Sequence, residues 1–151
     1  SVGNYEVSVL IYFLPQVAAS HSGTSVAIAL ANLCVAQANG AYMNSQIPLQ
    51  MNLVGAFQTV QDDNVNTSVQ LSRLQAVSDG WYDEVHDMRN QTQEDYVALL
   101  MGPGRDACGR GYIMTNVSPG FEAWAFSVSG QPAVSPARVR KLVGEVYGKA
   151  S

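Results

Sequence analysis

The spacing of apolar positions changes several times along the chain, and each change marks an element. Val7-Ser8-Val9-Leu10-Ile11-Tyr12-Phe13 is a β-branched and aromatic run ended by Pro15. Such a run predicts a buried strand. His21-Ser22-Gly23-Thr24 is turn material. From Ser25 the period becomes helical, with Ile28, Ala31, Val35, Ala38 and Tyr42 on one side and Leu30, Cys34 and Ala41 beside them. This predicts a helix of about five turns that ends near Asn44-Ser45. Its many alanines suit close packing on a sheet.

Leu49 to Phe57 alternates apolar and polar at first, as a half-exposed strand does. Gln61 to Ser68 is polar and reads as a loop, and Val69 to Leu74 as a short helix. Trp81 to Arg89 predicts a further helix with Trp81, Val85 and Met88 on one side. Its Asp83-Glu84 start suits the helix macrodipole. Asp95 to Met101 predicts a third strand, closed by Gly102-Pro103-Gly104. Gly111 to Thr115 reads as a short fourth strand and Ala123 to Val128 as a fifth.

Near the end, Ser135 suits an N-cap and Pro136 the first helical position, where its missing N–H costs nothing. Val139, Leu142, Val143, Val146 and Tyr147 then form a narrow apolar stripe with charged residues around it. The chain therefore closes on an amphipathic helix expected to lie on the sheet. The order β-α-β-α-β-β-β-α predicts an α/β sandwich with a mixed sheet.

Composition narrows the function classes. The chain has 151 residues, 47% apolar and 13% charged, with a net charge of -4. The length predicts one domain over residues 1–151. Disorder is excluded, because it needs low hydrophobicity and high net charge. A general nucleic-acid partner is not expected, since Arg138-Val139-Arg140-Lys141 is the first basic run and suits the solvated face of a helix. No membrane span is expected, as no apolar stretch reaches the ~18 residues one needs.

Three Asn-x-Ser/Thr triplets, at Asn66, Asn90 and Asn116, are candidate N-glycosylation sites. Cys34 and Cys108 permit one disulfide, while the apolar surroundings of Cys34 suit a buried free thiol equally. Export is the expectation, although Ser1 to Asn4 lack the basic flank and apolar core of a signal peptide.

Several segments taken together resemble a known family. They are the Val7–Tyr12 run, Asn39-Gly40-Ala41-Tyr42-Met43-Asn44-Ser45, Leu71-Ser72-Arg73-Leu74, Ser78-Asp79-Gly80 and Asp87-Met88-Arg89. Asp95-Tyr96-Val97-Ala98-Leu99-Leu100, Ala107-Cys108-Gly109-Arg110-Gly111-Tyr112 and Phe126-Ser127-Val128 continue the series. In this order and spacing they resemble the front half of secreted bacterial reprolysin-like zinc metallopeptidases of the metzincin group. The resemblance runs from about Val7 to Val128 and implies a three-layer α/β sandwich: a mixed five-stranded sheet, a long first helix, and a final helix in the place of the zinc-binding helix.

In that family the final helix carries His-Glu-x-x-His-x-x-Gly-x-x-His: three zinc ligands and a glutamate general base. Ligands at i and i+4 share one helical face, and the glycine allows the turn that brings the third histidine round. With that glycine matched to Gly148, the ligand positions fall on Lys141, Glu145 and Ser151, and the base position on Leu142. Lys141 is a cation where a neutral imidazole belongs, Leu142 takes no proton, and Glu145 alone makes a weak zinc site. The chain has two histidines in all, His21 and His86, and neither has a His or Cys at i+3 or i+4. No alignment makes a three-histidine site of them. The family often has a second cysteine after the fifth strand; Ser129 to Val134 contain none.

The expectation is thus a metallopeptidase-like chain that is not an enzyme, needs no cofactor and acts outside the cell. The resemblance implies a sheet edge at Gly111, Tyr112, Ile113, Met114 and Thr115, open to a peptide or to a second copy of the chain. The alternative is a truncated or altered form of an active secreted zinc metalloendopeptidase. Other chemistry-bearing residues read simply. His86 is expected to be exposed on its helix and His21 solvated in a turn, with no triad among Ser20, Ser22 and Ser25. Asp62-Asp63 is expected to be a solvated loop, lacking the Gly and Glu of a calcium-binding hand, and Trp81 and Trp124 to be core.

Overall fold

The computed structural model describes residues 5–20, 23–61, 65–102, 109–112 and 118–129. Their order is β1 (Tyr5–Phe13), α1 (Pro15–Ser20), α2 (Thr24–Asn44), β2 (Leu49–Gln58), α3 (Thr67–Gln75), α4 (Asp83–Thr92), β3 (Tyr96–Leu100) and β4 (Gly109–Gly111). A 3-10 turn over Pro119–Trp124 then leads into β5 (Phe126–Ser129). The expected closing helix, with Lys141, Leu142, Glu145 and Ser151, lies outside the described residues, as do His21, Asp62, Asp63, Cys108 and Asn116.

The five strands form one sheet in the order β2-β1-β3-β5-β4. β1 pairs in parallel with β2 and β3, β3 in parallel with β5, and β4 runs antiparallel to β5. Central β1 is covered on both faces, which explains its uninterrupted apolar run. Val7, Val9, Ile11 and Phe13 point to one side and join Ala27, Ala31, Cys34, Ala38 and Tyr42 of α2. Leu10, Tyr12 and Leu14 point to the other and join Leu71 and Leu74 of α3 and Val85 of α4. The sheet is therefore the middle of three layers.

Helix α2 covers almost the span its period predicts. Its sheet-facing stripe is Ala27, Ala31, Cys34, Val35, Ala38 and Tyr42, whereas Ile28 is 37% exposed. Ile28 is corrected from the core set because the small Ala27, one position earlier, takes the sheet contact and lets the helix lie close. By length and composition α2 also passes for a membrane-crossing helix, as the core helix of a folded domain can. In the fold this stripe packs on the sheet.

The helix borders shift for local reasons. Asn66 caps α3, its side chain accepting from the Val69 N–H at 2.9 Å, so the helix starts inside the expected loop. Tyr82 takes a left-handed backbone, φ 56°, which postpones α4 to Asp83. Pro15 not only ends β1 but opens α1, a helix the period did not predict. Ala123 and Trp124 belong to the 3-10 turn and not to β5; Trp124 is 45% exposed and so is not core. Trp81 is half-buried under the Arg73 guanidinium, 3.7 Å from its ring centre.

β2 is a sheet edge, half-exposed as its alternation predicts. Val54 is bulged, since Val9 pairs with Leu53 and Leu10 with Gly55. Asn39 of α2 clasps the strand: its amide donates to the Met51 carbonyl at 2.8 Å and its Oδ1 accepts the Met51 N–H at 2.7 Å.

Candidate functional site

The other sheet edge is β4. It spans Gly109–Gly111, two residues earlier than the expected Gly111–Thr115. Gly111 ends the strand, Tyr112 lies just past it, and Ile113, Met114 and Thr115 fall outside the described residues. The shift follows from the register: Gly109, Arg110 and Gly111 pair with Ser129, Val128 and Ser127, so β4 stops opposite the second residue of β5. At Gly111 the strands approach closely: a Cβ there would meet the Ser127 Cβ at 3.5 Å.

Neighbouring elements hold this edge. The Arg110 Nε donates to Thr67 Oγ1 at 2.7 Å, tying β4 to the first residue of α3. Tyr112 packs edge-on against Trp124, ring centres 5.0 Å apart. Burial raises the Tyr112 phenol above its ordinary value, and a hydrogen bond with Ser72 acts against that rise. The backbone edge is thus flanked by one guanidinium and one aromatic pair.

His86 corrects the sequence expectation most clearly. It is 9% exposed, not solvated. Its Nε2 sits 2.7 Å from the Leu74 carbonyl oxygen, and its ring lies 5.3 Å from that of Phe126. Nothing in the local sequence marks this, because the partners come from α3 and β5. Arg89, one turn on, is 8% exposed, and its Nε and Nη2 donate to the carbonyls of Glu94 and Asp95 at 3.0 and 3.1 Å. Its place in the Asp87-Met88-Arg89 segment gave no sign of this burial. Of the glycosylation candidates, Asn90 is exposed on α4, and Asn66 is exposed with its side-chain oxygen engaged as a cap.

Cys34 is a free, buried thiol on the inner face of α2, and burial pushes it up to about 11. Among the described residues no group of three His, Cys, Asp or Glu side chains is placed to hold a metal ion.

The fold defines the class: an α/β three-layer sandwich of metzincin type with a mixed five-stranded sheet. Metalloproteinase-II from Bacteroides fragilis shares it, with a TM-score of 0.53 at 11% identity over 97% of this chain and 44% of that one. A chain in a structure described as a chaperone-substrate complex superposes with a TM-score of 0.79 at 20% identity, over 96% of this chain and 26% of that one.

The sequence comparisons point the same way. The chain is 38% identical over 72 residues to a peptidyl-Asp metalloendopeptidase of Stenotrophomonas maltophilia, a match spanning 48% of this chain and 17% of that protein. A protein of the same name from Xanthomonas campestris is 27% identical over 103 residues, 68% of this chain and 24% of that protein. The chain thus spans only about a sixth to a quarter of the length of these relatives. No family model matches it. In sequence and fold the chain is metallopeptidase-like.

Such relatives imply a metal, and this chain's residues do not fit a three-histidine centre. It has two histidines in total. One of them, His86, directs its Nε2 at a backbone carbonyl inside the α3–α4 layer.

Proposed function

We propose that the chain is a non-catalytic, reprolysin-like relative of the metallopeptidases that acts outside the cell as a binding or self-assembling module. The β4 edge takes the partner, an extended segment of another protein or of a second copy, by strand addition. The observation that supports the reading is the histidine count set beside a metallopeptidase-like scaffold: these 151 residues carry two histidines, too few for a three-histidine centre. Without a metal-activated water the hydrolytic route has no nucleophile.

The test pairs metal analysis of the purified protein with a peptidase assay, and adds sedimentation over a range of concentrations. We expect no stoichiometric zinc, no chelator-sensitive cleavage, and self-association or peptide capture that weakens in Tyr112→Ala and Trp124→Ala. Stoichiometric zinc with chelator-sensitive cleavage refutes it.

A second reading is a truncated or altered form of an active secreted zinc metalloendopeptidase. The identity to metalloendopeptidases, over a small share of their length, favours it. A natural product whose intact mass exceeds 16.2 kDa would decide for it.

A further inference from the structure

Helix α2 has no charged side chain in its 21 residues. A helix that is apolar all round belongs in an interior, covered on all sides. Yet among the described residues only one face of α2 is covered, the Ala27-to-Tyr42 stripe that meets the sheet. The opposite face carries a second apolar stripe. Val26, Ala29, Leu33, Ala36, Gly40 and Met43 follow one another at alternating steps of three and four residues. That is the repeat of a helix that packs along another helix. Val26 is 45%, Leu33 47% and Met43 76% exposed, and Ala29 and Ala36 are exposed with them. Gly40 looks into open space: an added Cβ would meet nothing within 4 Å. Asn32 and Gln37 border the stripe, both exposed and uncharged.

The order of large and small residues along the stripe is its own complement. Consider an antiparallel copy about a two-fold axis level with the Cys34–Val35 peptide. It sets Val26 against the partner's Met43, Ala29 against the partner's Gly40 and Leu33 against the partner's Ala36, and symmetry repeats each pair. Leucine meets alanine at the centre. Alanine meets glycine on either side, where backbones approach closely. Val26 and Met43 close the ends, and Met43 also lines a groove of about 330 Å³ with Ile47 and Pro48. A parallel copy would set leucine on leucine and glycine on glycine, crowding one level and leaving a gap at another. Burying this face desolvates no charge. A lipid surface suits it less, because helices that lie on membranes flank their apolar face with Lys and Arg, and α2 has neither. Two such helices, each about 31 Å long, bury on the order of 1,000 Å² in total, the low end for a specific interface.

We propose that the outer face of α2 is a dimerisation surface, and that its occupant is the α2 of a second copy, antiparallel about a two-fold axis. The dimer is reversible, as its area implies. It is independent of the β4 edge and does not require that edge to take a partner.

Sedimentation equilibrium of the chain at rising concentration should show a monomer–dimer equilibrium. Leu33→Lys should weaken it about tenfold or more, because the dimer buries the new charge without a partner. The thermal midpoint should stay unchanged, since the Leu33 side chain is half exposed in the monomer. Tyr112→Ala should leave this dimer in place, which separates it from association through β4. Register is read by mild oxidation of Ala29→Cys mixed with Gly40→Cys. A disulfide between residues 29 and 40, mapped by peptide mass, is expected in the mixture, and no link of either position to itself in either variant alone. A chain that stays monomeric overturns the proposal. So does a dimer that Leu33→Lys leaves unweakened or Tyr112→Ala abolishes, a mixture without the 29–40 link, self-links at either position, or flotation of the monomer with phosphatidylcholine vesicles.

Discussion

Replacing Asn39 by alanine tests how the long helix is fastened to the sheet. Its amide satisfies both backbone groups of Met51 on edge strand β2, at 2.8 and 2.7 Å, and Met51 is 1% exposed. Alanine removes two hydrogen bonds worth about 1 kcal/mol each and leaves a buried donor and acceptor, at roughly 1–3 kcal/mol per orphaned group. Alanine's better helix propensity returns about 0.6 kcal/mol. The orphaned-group cost already contains the lost bonds, so the expected net loss is about 1.5–5 kcal/mol, or roughly 3–20 °C in Tm for a chain of this size. Asn39→Asp should lose less, since a carboxylate still accepts the Met51 N–H while facing the Met51 carbonyl without a proton. Urea unfolding at constant m-value reads both. If Asn39→Ala falls within about 0.5 kcal/mol of the parent, the clasp is a surface contact and the reasoning is wrong.

Other expectations follow from single contacts. The Cys34 thiol, pushed up to about 11 from 9, should resist disulfide reagents in the native protein and react on unfolding. Because its folded value is raised, the unfolded chain loses this proton first, so its contribution is complete below about pH 9 and is lost as pH rises toward 11; Cys34→Ala should flatten that alkaline decline in a stability-against-pH series. Burial and then the Glu84 carboxylate hold the Tyr12 phenol above its ordinary 10, so Glu84→Gln should lower its ultraviolet titration midpoint part of the way. Gly102→Ala would set a Cβ 2.8 Å from the Gln16 Cβ, and a loss of about 1–3 kcal/mol is expected by thermal unfolding.

The sequence by itself determined the elements whose signal is local. The unbroken run of β1 requires a strand covered on both sides, and the period of α2 requires a helix lying along a sheet. It also set the histidine count, which no folding can change. Only tertiary structure decided which residues within those elements face inward. Ala27 and not Ile28 meets the sheet, because close approach favours the smaller side chain. His86 on the polar-looking α4 became buried because the Leu74 carbonyl and Phe126, distant in sequence, enclose it. Periodicity reports a helix's average face, while a polar side chain's burial depends on whether a remote element brings it a partner.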